Sequence, residues 1–436
     1  MIAAMILPLL LAATPAAAAP APAHLSPAES RMVATVDAEQ ARSVALLERL
    51  VNQNSGTMNL AGVARVGAMM AEALRPLGFT VTWKPLPQTG RAGHLIATHA
   101  GTPGTKRLLL IGHLDTVFEA DSPFQRFVRR GDEASGPGAG DDKGGMVVML
   151  AALRAMQAAG TLSSANIEIV LTGDEEDSGG PVAVARADLI AAGKRADAAL
   201  DFEGLAVEDG RDMGSIARRS VNDWTLVVTG RTGHSSRIFS ADFGDGAANE
   251  LARILAAFRS ELPEANLTFN TGLLAAGASA TIAAGGDKAQ AQGKSNIIPA
   301  QAVASGDFRT LSEAQTQRVG ARMRAIVARH LPGTDAVLTI KPGYPAMAPT
   351  AGNQALLARL NAVNRDLGLA EMPPLDPLKR GAGDISWVAA DVDGLVGLGT
   401  ASRGDHTPDE VVDLESIRRQ AKRAAILMSR LSAERR

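Results

Sequence analysis

Between residues 107 and 202, short apolar runs alternate with helical periods, and that order restricts the fold more than any other feature of the chain. Arg107-Leu108-Leu109-Leu110-Ile111-Gly112 is too short for a helix and has no polar face, as a strand buried on both sides must be. Asp141 to Ala159 places Met146, Val147, Leu150, Leu153 and Met156 on a helical period. Asp141 or Asp142 stands near its start, where a carboxylate suits the helix dipole. Ala165–Leu171 predicts a second strand, Pro181–Ala192 a second helix and Ala196–Phe202 a third strand. A β-α-β-α-β order predicts an α/β fold, with a mostly parallel sheet and helices on both faces.

The pattern changes near Arg218. Trp224–Thr229 alternates like a half-exposed strand, a helix follows over Gly246–Glu261, and strand-like stretches come at Ala280–Ala284 and Gln301–Thr310. Thr310-Leu311-Ser312-Glu313 then opens a helix with a capping-box pattern, giving a β-α-β-β-α unit with an antiparallel sheet. Beyond Pro332-Gly333 the chain resumes with a helix near 354–367, a short strand at 394–398 and a closing helix at 414–431. The expected division is a catalytic domain in two parts, 23–216 and 334–436. An inserted α+β lid or dimerisation domain, 217–333, interrupts it.

Residues 1–22 read as a signal peptide. Met1–Ala13 is apolar but too short to cross a bilayer comfortably, Pro8 and Pro15 break it, and Ala16–Ala19 offers the small residues found at cleavage sites. Export to the periplasm or beyond is therefore expected, with no membrane contact after cleavage.

Metal-capable side chains gather in five short segments. Gly112-His113-Leu114-Asp115-Thr116 follows the first buried strand, and Gly138-Ala139-Gly140-Asp141-Asp142-Lys143-Gly144-Gly145 opens a helix. Thr172-Gly173-Asp174-Glu175-Glu176 and Asp201-Phe202-Glu203 follow the next two strands, and Gly404-Asp405-His406-Thr407-Pro408 follows the last. Loops at the carboxyl ends of parallel strands line one crevice. Separately, Asp141 could merely cap its helix, and Glu175-Glu176 could be a solvated turn. Together in one crevice, the carboxylates would repel one another unless cations neutralised them. The chain has no cysteine, so imidazoles and carboxylates remain, a donor set for Zn²⁺ or a similar divalent ion. Two ions about 3.5 Å apart sharing a carboxylate would suit carbonyl hydrolysis, with a free carboxylate beside them as general base. A formal charge of −2 and only 3% aromatic residues leave no basic field or stacking surface for nucleic acid.

His113-Leu114-Asp115-Thr116, Gly138–Gly145 and Asp174-Glu175-Glu176, in this order around an inserted unit, resemble the M20 family of di-zinc metallopeptidases. The resemblance covers essentially the whole chain beyond the leader. It implies two bound zinc ions, with Asp141 as the bridging ligand. His406 and Glu176 complete one ion, His113 and Glu203 the other. It further implies Glu175 as general base, Asp115 as the acid orienting His113, and a cis peptide between Asp141 and Asp142. Gly230–Ser235 resembles the segment whose histidine, here His234, stabilises the oxyanion in a neighbouring subunit's site. Asn296, Arg309 and Gly383 match segments that bind substrate, Arg309 taking its terminal carboxylate. Gly381-Ala382-Gly383-Asp384 departs from the commoner Gly-Gly-Gly-Thr-Asp form.

The function expected is that of an exported metal-dependent carboxypeptidase-type hydrolase acting on small peptides or N-acyl amino acids, with homodimerisation through the inserted unit. An N-acyl-amino-acid deacylase or dipeptidase would use the same site, and a non-catalytic periplasmic binding protein is the remaining alternative.

Overall fold

The structure, a computed structural model, describes residues 25–436, so the signal-peptide reading of 1–22 lies outside the described residues. Helices α1 (Pro27–Ala38), α2 (Gln40–Val51) and α3 (Leu60–Leu74) lead into strands β1 (Thr80–Leu86), β2 (Arg91–His99) and β3 (Arg107–His113). Then come α4 (Lys143–Ala159), β4 (Asn166–Thr172), α5 (Ala187–Gly193) and β5 (Ala198–Asp201). The middle of the chain forms β6 (Asn222–Gly230), α6 (Ala247–Glu261), β7 (Thr268–Phe269), β8 (Leu273–Gly277), β9 (Gln301–Arg309), α7 (Glu313–Val327) and β10 (Thr334–Pro342). Helix α8 (Ala351–Asp366), strand β11 (Gly394–Leu395) and helix α9 (Leu414–Ser432) close it.

The larger sheet runs β1-β2-β4-β3-β5-β11. β4, β3, β5 and β11 are parallel, as expected; β1 and β2 join as an antiparallel edge. That edge had escaped the sequence reading because β1 is mostly exposed and shows no apolar run. Helix α4 is buried continuously from Lys143 to Met156, which is why its sequence is apolar all round. It stops at Gly160, whose φ of +79° is the left-handed conformation that ends helices. In α1, which packs in the same core as α4, Ser26 and Glu29 cap the helix reciprocally, with Pro27 in its first turn.

The second sheet is antiparallel, ordered β7-β9-β6-β10 with β8 also on β9. Trp224, Leu226 and Val228 of β6 face its own core, where Trp224 meets Phe258 of α6 edge-on at 5.8 Å. The boundary expected at 333/334 needs correction. Thr334–Pro342 pairs along its length with β6 and belongs to this second sheet, because its alternation has one face to pack and the partner strand is there. The chain crosses between the sheets on two adjacent segments, Arg218–Val221 and Gly343–Met347, which hydrogen-bond to each other.

Candidate metal centre

β3, β4 and β5 end nearly level: His113 pairs with Thr172, and Ile111 with Asp201. The residues that follow them leave the sheet at its carboxyl edge, where open α/β folds build their sites. The start of α4 reaches the same edge, since Asp142 accepts a bond from the His113 amide at 3.2 Å. That approach requires glycine at 145, where a Cβ would lie 1.9 Å from the Phe202 carbonyl oxygen. The peptide between Asp141 and Asp142 is cis.

Asp141 presents one oxygen to each histidine, Oδ1 to His113 Nε2 at 2.9 Å and Oδ2 to His406 Nε2 at 3.0 Å. Glu176 Oε2 lies 3.3 Å from the same His406 nitrogen. His113, Asp141 and Glu176 offer ligand atoms all within 4.8 Å of one another. His406 holds a φ of +64°, uncommon outside glycine and the kind of backbone outlier that gathers at functional sites. Asp115, fully buried, lies 3.4 Å from His113 Nδ1 and also accepts from the amides of Glu175 and Glu176 at 3.1 and 3.2 Å. One residue thus orients a histidine, whose Nδ1 bonds the Asp115 main-chain carbonyl at 3.1 Å, and anchors the next loop through its carboxylate.

The electrostatics show an excess of acid. Burial alone would raise Asp141, but the His113 and His406 hydrogen bonds outweigh it and hold its carboxyl far below the usual range. His406 is pushed up to about 11 by its bonds to Asp141 and Glu176. Burial raises Glu175, Glu176 and Asp142, and lifts Asp201 to about 7. Among the described residues, Asp142 Oδ1, Glu176 Oε1, Asp201 Oδ2 and Asp405 Oδ1 are buried carboxylate oxygens with no hydrogen-bond partner. Such oxygens are costly without a cation, so this donor set fits divalent metal.

Not every expected ligand joins the cluster. Glu203 lies outside the close group, its carboxylate paired with the buried guanidinium of Arg218. A buried carboxylate needs a counter-charge, and here Arg218 supplies it. Gly383 packs onto this pair: a Cβ there would stand 2.5 Å from Glu203 Oε1 and 2.8 Å from Arg218 Nη2. Arg309 is bonded to Asp307 at 3.1 Å and reaches the same glycine turn, its Nη1 lying 3.6 Å from where a Gly381 Cβ would be. His234 sits exposed on a two-stranded ribbon where it pairs with Ile297, and Asn296 lies exposed in the turn just before that strand. His234 Nδ1 bonds Ser236 Oγ at 2.8 Å, and among the described residues no hydrogen bond or ion pair links it to the metal-capable cluster.

Sequence reasoning missed Glu410. This buried carboxylate accepts from the amides of Gly138, Gly140 and Asp141 at 3.1, 2.8 and 3.3 Å, cradling the loop that carries Asp141. Its closeness to His406 in the sequence was the available signal. Arg218, by contrast, carries no motif that could have announced it.

The profile of peptidase family M20/M25/M40 matches residues 109–430. Carboxypeptidase G2 of Pseudomonas sp. (strain RS-16) is 30% identical over 409 residues, covering 91% of this chain and 90% of that protein. Succinyl-diaminopimelate desuccinylase of Variovorax paradoxus (strain S110) is 28% identical over 388 residues, covering 86% and 94%. The Bacillus subtilis YXEP protein, a dinuclear metal-binding peptidase of family M20, superposes with a TM-score of 0.61 at 16% identity, covering 90% of this chain and 98% of that one. On the extent of the family match and the likeness to carboxypeptidase G2, the chain belongs to peptidase family M20 and is a hydrolase of its peptidase and amidohydrolase kind.

Proposed function

We propose that the protein is an exported, metal-dependent exopeptidase that cleaves the amide bond next to an amino acid with a free carboxylate. The observation that carries this reading is Asp141, whose two oxygens each face one imidazole, beside buried carboxylate oxygens that lack partners. His113, His406, Asp141 and Glu176 would hold two divalent ions of the zinc type, and Glu203 would join them by exchanging Arg218 for metal. When bound, such ions polarise a carbonyl and ease the deprotonation of water. Glu175, adjacent to the ligand Glu176 but bonded to neither histidine, takes the proton of the attacking water and returns it to the leaving amine nitrogen. Arg309 pairs with the substrate carboxylate, a task suited to a planar guanidinium. His234 donates to the oxyanion, which from its exposed ribbon requires either a second copy of the chain or closure of the second sheet.

An amide deacylase is the second reading, favoured by the likeness to a desuccinylase. A panel of peptidyl and N-acyl amino acids, run on zinc-loaded protein, separates the two. Glu175→Gln is the test of mechanism. Bound metal and KM should stay near wild type while kcat falls by about 10²–10⁴. Chelation should abolish turnover, and added Zn²⁺, Co²⁺ or Mn²⁺ should restore it. A Glu175→Gln enzyme within tenfold of wild type would place the base elsewhere.

A further inference from the structure

Glu175 sits on a turn that is neither helix nor strand, so its shape must be imposed from outside. Asp115 holds the Glu175 and Glu176 amides, as described. The Glu175 carbonyl is held by another part of the fold: Tyr344 Oη donates to it at 2.8 Å. Tyr344 lies on the return crossing from the second sheet, where its own carbonyl accepts from the Val221 amide at 2.9 Å.

The phenol proton is kept for that carbonyl by Arg186, which is completely buried beneath the turn. Its guanidinium donates to Asp174 Oδ1 at 2.5 Å, and to the Asp174 carbonyl, Ser178 Oγ and Tyr344 Oη at 2.9, 2.9 and 3.0 Å. A guanidinium only donates, so the phenol must accept from Arg186 and its own proton is left for an acceptor. The acceptors within reach are the Glu175 carbonyl and, at 3.2 Å, Ser178 Oγ, which already faces Arg186. The ring is seated against Trp387, centroid to centroid 5.4 Å, so the hydroxyl has little freedom to swing.

We infer that Tyr344 is a positioning residue for Glu175. Working through the main-chain carbonyl rather than the carboxylate, it fixes the turn from which the base projects. It also ties the base to the crossing between the sheets, so that placing the second sheet and aligning Glu175 are one event. This rests on Glu175 being the general base.

Tyr344→Phe tests it, because the ring stays against Trp387 and only the hydroxyl is lost. In the full-length, zinc-loaded enzyme, with the best substrate of the panel, kcat should fall by about 10- to 100-fold, the scale of a displaced catalytic group. KM should stay within twofold and bound metal should be unchanged. Because Tyr344 acts only through Glu175, adding Tyr344→Phe to Glu175→Gln should slow the residual rate no further. An unchanged kcat, an effect confined to KM, or full additivity in the double variant would overturn the assignment. If Glu175→Gln alone leaves kcat intact, the base is misassigned, a failure distinct from that of Tyr344.

Discussion

Glu410→Gln is the most informative perturbation of the cradle around Asp141. In the wild type, Oε1 receives the amides of Gly140 and Asp141 and Oε2 receives that of Gly138. A glutamine can keep the paired acceptor, but its NH₂ must then face the Gly138 amide, donor against donor. One buried donor is left unsatisfied, at a cost of about 1–3 kcal/mol. The loop can escape by shifting, and the group it carries is Asp141, with an oxygen aimed at each histidine. Loss of such a supporting contact typically weakens metal binding 10–100-fold, or about 1.4–2.7 kcal/mol. The two magnitudes agree, so most of the strain is expected to appear as lost affinity. Zinc affinity measured by competition with a chromophoric chelator reads it directly, and urea melts of the metal-free protein report any loss of stability. Glu410→Ala, which strands all three amides, should be worse on both counts. Zinc affinity within threefold of wild type in Glu410→Gln would refute the idea that this carboxylate aligns Asp141.

Two further outcomes follow from packing and charge. Asp212 lies between Arg423 at 2.5 Å and Arg419 at 3.0 Å, and although burial opposes them they hold its carboxyl below the usual range. Its folded pKa is below its unfolded one, so its contribution is complete above about pH 4 and fades as pH falls through the folded value. Asp212→Asn should cost about 3 kcal/mol at pH 7, since it leaves the buried Arg423 without its carboxylate, and progressively less as pH falls through the folded value. Urea denaturation across a pH series from 7 downward checks this, and a penalty independent of pH would count against it. Gly145→Ala would ordinarily favour a helix by about 1 kcal/mol. Here the new Cβ would stand 1.9 Å from a backbone oxygen that no side-chain rotation can move, so thermal melting should show destabilisation and metal affinity should drop.

Much of this was legible without coordinates, for a physical reason. Strands buried on both faces have to be apolar throughout, so β3, β4 and β5 stood out, and their loops followed from the rule for parallel sheets. The five metal-capable segments could be marked because donor chemistry is carried by residue type, whereas singling out His113, Asp141, Glu176 and His406 as ligands came from the resemblance to family M20. The edge strand β1 was invisible because exposure removes the apolar signal that marks a strand, and the half-buried β2 because Gly93, His94 and Thr98 break its apolar run. The limits of the second sheet were misjudged by one strand, because an alternating pattern says that a face is covered and not by which sheet.

The sequence by itself therefore determined the layered α/β plan and the kinds of atom available for metal, since both depend on local pattern and side-chain chemistry. Only the tertiary structure decided which charges meet. Glu203 faces Arg218, Glu410 cradles three amides more than 260 residues away, and Tyr344 reaches the Glu175 carbonyl across 169 positions. Such pairings leave no periodic trace in a chain, because what selects them is the cost of burying a polar group unpaired, and that cost arises only once the fold has removed the water.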